Sequence, residues 1–186
     1  MRWVTLYARS RQVPLSFAAV VPAAVAVWGT ADAGDPRPAV LVLVAGVTAA
    51  SVGLGGQDVA LDRTAAIGWV PRRAAHVLLI GTVVAAVLLA VQTLGRDPAA
   101  AAFVVRDSAG LTGLVAVGAV VCGARYAWTL PMAWLAVSFF GPPPTDVPSQ
   151  VASWLLLPPG TPTGTWTALL LALGGTVTYA AAGPRG

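Results

Sequence analysis

The stretch ALDRTAAIGWVPRRAAHVLLIG, Ala60 to Gly81, carries Asp62, Arg63, Arg72 and Arg73, with Asp58 just ahead, in a chain of which only 10% is charged. Asp58 and Asp62 stand four apart and would share one face of a helix. Mixed charge on a helix-capable segment that also holds Ile67 and Trp69 is chemistry for docking a protein: apolar side chains fill a groove while rim charges steer the encounter. The residues needed for catalysis or metal binding run out. His76 is the only histidine and Cys122 the only cysteine, so no ligand cluster, no internal disulfide and no Ser/His/Asp or Cys/His set emerges. Cys122, in an apolar Gly/Val run, reads as a buried small residue. His76 reads as structural, at the interface end of a span.

A phosphate-binding G-x-x-x-x-G-K-[ST] loop cannot be present, because the chain has no lysine. GLGGQD, Gly53 to Asp58, is glycine-rich but reads as a helix end. Any ATPase that drives this protein is another chain. No basic stripe forms either, so the net charge of +4 implies no nucleic-acid partner. Every aspartate falls in an expected loop, which counts against proton coupling through intramembrane acids.

The elements that position these residues follow from composition. Of 186 residues, 57% are hydrophobic, and a water-soluble domain would carry about 25% charged residues. The surface must therefore face a bilayer. All basic residues are arginine and all acidic ones aspartate, a pattern of GC-rich coding that points to a bacterial plasma membrane.

An all-α, polytopic fold is expected, as a single transmembrane domain over 1–186. Crossing the ~30 Å hydrocarbon core takes about 17–25 helical residues. Six spans are expected: Val13–Trp28, kinked at Pro22; Ala39–Leu54; Ala74–Leu94; Ala109–Ala124; a short Ala127–Phe140; and Thr163–Ala182. Residues 55–73 form a cytoplasmic loop in which Pro71 breaks the segment. Residues 142–162 form an exterior loop whose middle, Val147–Leu157, is a short helix. The N-terminal run is read as retained rather than as a cleaved signal. Over residues 1–12, Trp3 and Tyr7 lie near one face, with Arg9 and Arg11 supplying polar contacts, as in a helix lying in the interface.

With the N-terminus inside, Arg2, Arg9, Arg11, Arg63, Arg72, Arg73, Arg125 and Arg185 are cytoplasmic, and only Arg37, Arg96 and Arg106 are outside. The positive-inside rule favours this orientation, with both termini cytoplasmic. Within the spans, Gly46, Gly81, Gly113, Gly118, Gly174 and Gly175 permit close helix packing. Thr48, Ser51, Thr82 and Ser138 are candidates for a weakly polar path.

The quoted stretch resembles the first coupling region of the type-2 ABC exporter permeases. The resemblance rests on Asp62, where that family usually has glutamate, and on Pro71, Arg72 and Arg73 leading straight into the third span. The amphipathic N-terminus is similar to the family's interfacial elbow helix, and the short helix before the last span to its exofacial helices. The importer motif is not met, since Ala65, Ala66 and Gly68 are wrongly spaced. The resemblance implies an exporter's membrane subunit, for a lipid, peptide or natural product. It would work with a second membrane subunit, identical or paralogous, and two cytoplasmic ATPase chains that bind ATP and Mg²⁺. Asp58, Asp62, Arg63, Ile67, Trp69, Arg72 and Arg73 would couple the ATPase. The alternative is a non-transporting assembly or immunity protein that docks a partner through the same loop.

Overall fold

The computed structural model describes residues 35–54, 69–93 and 99–185. The described residues form six α-helices. They are α1 (Arg37–Ser51), α2 (Trp69–Gln92), α3 (Ala101–Val121), α4 (Thr129–Phe140), α5 (Val147–Ala152) and α6 (Pro162–Ala182). Short 3-10 turns follow α1 and α5 and precede α4. Four of these segments are long and apolar enough to cross a membrane: Arg37–Leu54, Trp69–Gln92, Ala101–Val121 and Pro162–Ala182. The expected first span and the 1–12 interfacial helix lie outside the described residues.

Two ends of the bundle can be recognised from what meets there. At one, the loop end, Pro36, Ala99, Ala100, Phe103, Leu156 and Pro158 line a common cavity. At the other, the arginine end, the Tyr179 hydroxyl donates to the Leu54 carbonyl at 2.8 Å, and Ala124 N–H donates to the Arg185 carbonyl at 3.3 Å. Helices α1, α3 and α6 therefore run from the loop end to the arginine end, and α2, whose Arg73 lies on Gly183 and whose Gln92 reaches Ala99, runs the opposite way. Twelve-residue α4 is about 18 Å long, short of the hydrocarbon thickness. It starts at the arginine end, and its Trp134 Nε1 and Ser138 Oγ both donate to the Ala152 carbonyl, at 3.0 Å each, beneath the loop end.

Helix α3 sits in the middle. Buried residues occur all around it, including Val104, Leu111, Val115, Ala116 and Ala119, as expected of a helix enclosed by neighbours. Its closest partner is α6. A Cβ on Gly113 would collide with the Leu171 backbone, and one on Gly175 with the Gly113 backbone. The two backbones touch there, which is the packing that small residues allow between apolar helices. Gly118 makes a similar approach to Ala127, whose carbonyl oxygen would lie 2.6 Å from an added Cβ. Gly174 has nothing within 4 Å, so its small size serves no described contact.

Several boundaries differ from the sequence expectation. The helix expected from Ala109 begins at Ala101, and therefore contains Arg106 and Asp107, which were assigned to an exterior loop. The Ala-rich run Ala99–Phe103 favours helix strongly enough to carry it through the charged pair. The third span begins at Trp69 rather than Ala74. Pro71 lies inside its first turn, where a missing N–H costs no hydrogen bond, and does not break it. Cys122 is exposed, not buried, because it follows the last turn of α3 where the chain leaves the bundle.

Candidate functional site

The most strongly constructed polar site is at the loop end, around Arg106 and Asp107. Arg106 Nε donates to Asp107 Oδ1 at 2.7 Å, with the two side chains 7% and 0% exposed. Arg106 Nη1 donates to the Pro158 carbonyl at 3.1 Å, and Nη2 to those of Leu157 at 2.8 Å and Trp154 at 3.3 Å. Its guanidinium lies 5.1 Å from the centre of the Phe103 ring. The planar fork with five donors suits this cluster of acceptors, which a lysine could not match. Gly164 leaves room for it: an added Cβ would stand 3.2 Å from Nη1.

Arg106 thus clasps the 154–158 segment to α3, with Trp154 and Leu155 fully buried beneath it. Asp107 Oδ2 and Trp154 Nε1 are buried without a hydrogen-bond partner. The clasp is reinforced nearby. Asp146 and Ser149 cap α5 reciprocally, and the Ser149 hydroxyl bonded to Asp146 holds that carboxyl below the usual carboxylate range. Gln92 Nε2 donates to the Ala99 carbonyl at 2.7 Å, and Thr163 Oγ1 to Gln150 Oε1 at 2.8 Å.

Halfway along the helices, α2, α3 and α6 enclose a lateral groove of about 360 Å³, lined by residues that include Leu78, Thr82, Ala85, Thr112 and Thr176. Three of its hydroxyls are already committed: Thr82 donates to the Leu78 carbonyl at 2.8 Å, Ser108 to Val105 at 3.0 Å and Thr112 to Ser108 at 2.7 Å. With Thr176 as its fourth hydroxyl, the groove offers mainly hydrocarbon contact, and a Cβ on Gly81 would narrow it, 3.0 Å from Thr112 Oγ1.

The expected path residues do not converge. Thr82 lines this groove; Thr48, Ser51 and Ser138 do not. Ser51 is buried and donates to the Thr48 carbonyl at 2.6 Å, while Thr48 Oγ1 is buried without a partner. Ser138 is held under the 146–158 segment.

Of the expected coupling residues, Asp58, Asp62, Arg63 and Ile67 lie outside the described residues, as do the interfacial Trp3, Tyr7, Arg9 and Arg11. Trp69, Arg72 and Arg73 form the opening turns of α2. Arg72 stands 5.8 Å from the Trp69 ring centre, and Arg73 lies against Gly183 at the end of α6. His76 packs beside Gly53, with Nε2 3.5 Å from where a Cβ would be. Among the described residues no three His, Cys, Asp or Glu side chains could together hold a metal ion.

The Arg106–Asp107 pair is the site that sequence reasoning missed. Its signal was the Ala99–Val105 run, which continues the helical pattern upstream of the charges. No family model, curated protein or solved structure matches the chain. Among the described residues, fold and site together define an all-helical arrangement with four helices long and apolar enough to cross a membrane, and a charged clasp at one end.

Proposed function

We propose that this chain is the membrane subunit of an ATP-driven exporter of the ABC type, moving a hydrophobic or amphipathic substrate and energised by a separate ATPase. The observation that carries the reading is continuity. Trp69, Arg72 and Arg73, at the downstream end of the segment that resembles a coupling region, open the 24-residue helix α2. That helix also lines the apolar groove halfway along its length. A push at its first turn would be carried as a rigid-body shift to the groove.

In this reading residues 13–28 and the short α4 complete six spans, and residues 1–12 lie in the interface as the elbow. Both termini are cytoplasmic in a bacterial plasma membrane. ATP and Mg²⁺ bind to two partner chains. Leu43, Val47, Leu111 and Val115 are fully buried, which supports a path formed between two membrane subunits rather than within one. The same filled interior favours one other reading, a non-transporting assembly or immunity protein that docks a partner through residues 55–73.

The test is co-purification of the tagged chain from its native host in mild detergent. An ATP-binding protein should accompany the wild type. Trp69→Ala should weaken its capture by about 30-fold, the equivalent of a ~2 kcal/mol aromatic anchor, and Asp62→Asn by less. Capture of a partner with no nucleotide site would favour the second reading, and undiminished capture by Trp69→Ala would remove the loop from either.

A further inference from the structure

We propose that the arginine end of the bundle is a binding surface for anionic phospholipid headgroups. Arg72, Arg73, Arg125 and Arg185 come from three separate stretches of chain, and the fold joins them. The Arg73 guanidinium lies on Gly183, so closely that a Cβ there would come within 2.8 Å of Cζ. Gly183, at φ 71°, ends α6 and turns the chain towards Arg185. Arg185 N–H donates to the Ala119 carbonyl at 3.2 Å, and its own carbonyl accepts from Ala124, the neighbour of Arg125.

Among the described residues the charge at this end is uncompensated. Among the described residues the aspartates are Asp35, Asp107 and Asp146, which belong to the loop end, and the ion pair is Arg106–Asp107. Asp58 and Asp62 lie outside the described residues; even with both set against Arg72, Arg73, Arg125 and Arg185, an excess of two positive side-chain charges is left.

The surroundings select a lipid over a soluble anion. Helix α2 is about 36 Å long, so its ends project just beyond a ~30 Å hydrocarbon core, to headgroup depth. Val70 and Val121, next to the arginines, are 54% and 57% exposed, and Tyr126 and Trp128 beside Arg125 are 50% and 43% exposed. Exposed valines, amphipathic rings and guanidinium forks side by side match an acyl chain, glycerol backbone and phosphate. The surface does not depend on export or on which leaflet it faces.

Native mass spectrometry of the full chain in detergent would test it, with phosphatidylglycerol and phosphatidylcholine of identical acyl chains as probes. The wild type should retain phosphatidylglycerol preferentially. Each arginine near the surface should contribute about fivefold. Replacing Arg72, Arg73, Arg125 and Arg185 together by Gln should abolish the preference, while Arg37→Gln at the opposite end should keep it. Arg125→Gln alone, an exposed change that spares the fold, should cut the preference by about fivefold. Equal retention of both lipids by the wild type, or a preference that survives the Arg125→Gln and fourfold changes, would overturn the proposal. So would loss of lipid to millimolar inorganic phosphate, which would make this a small-anion site.

Discussion

At the scale of single residues, Arg106 is the position where one change should matter most. Its removal strands the Asp107 carboxylate in a buried site and takes the donor from the Leu157 carbonyl, while the Trp154 and Pro158 carbonyls keep those of Leu157 and Thr161. Breaking a buried pair from one side typically costs about 3–5 kcal/mol. Arg106→Met should lower the thermal midpoint in detergent accordingly and expose Trp154, read as a red shift in its fluorescence. Arg106→Met with Asp107→Leu should recover part of the loss, because no unpaired charge remains. A single variant as stable as the wild type would mean that the clasp is ornamental. Asp146 gives a pH prediction of known sign. The Ser149 hydroxyl depresses its carboxyl pKa. The contribution is therefore present above the unfolded value and is lost as pH falls through the lower folded value. Ser149→Ala should move the carboxyl titration upward, towards the ordinary value of about 3.9, and fray α5 at a higher pH. A carbon-detected NMR titration of the Asp146 carboxyl measures this directly.

At the scale of elements, the α3–α6 crossing and the neighbouring Gly174 make a matched pair of tests. Gly175→Ala drives a methyl into the Gly113 backbone and must part the helices. Overpacking of this kind costs about 1–3 kcal/mol. Gly174→Ala meets nothing within 4 Å, and should stabilise α6 by up to about 1 kcal/mol through helix propensity. Thermal midpoints of the two variants should therefore shift in opposite directions; equal shifts would show that the crossing is looser than its geometry implies. The adjacency of these glycines in sequence makes the contrast sharp, since composition and hydropathy are the same in both variants.

At the scale of the whole molecule, Cys122 offers a probe of which end faces the cytoplasm. It is the only cysteine of the chain, and it is exposed at the arginine end. The proposed orientation puts that end inside, with Arg72, Arg73, Arg125 and Arg185. A membrane-impermeant maleimide should then label Cys122 in inside-out vesicles and not in intact cells. Labelling of intact cells would invert the topology and, with it, the cytoplasmic docking of residues 55–73.

The sequence by itself determined where apolar helices form and roughly where they stop. Ala39–Leu54 and Thr163–Ala182 were legible because hydropathy is a sum over neighbours, and a bilayer-length run needs no distant partner to be helical. The short helix within 147–157 was legible from its bracketing prolines and its length. Tertiary structure decided the rest. Arg106 read as a loop residue because a window of neighbours registers only its charge, whereas its acceptors lie 48 to 52 residues downstream. Cys122 read as buried because its neighbours are apolar, yet burial depends on which elements pack over a position, and among the described residues none covers Cys122. Gly174 and Gly175 are indistinguishable in a sequence. One faces open space and the other the Gly113 backbone, because a helix rotates about 100° per residue and only the crossing with α3 fixes which face is inward.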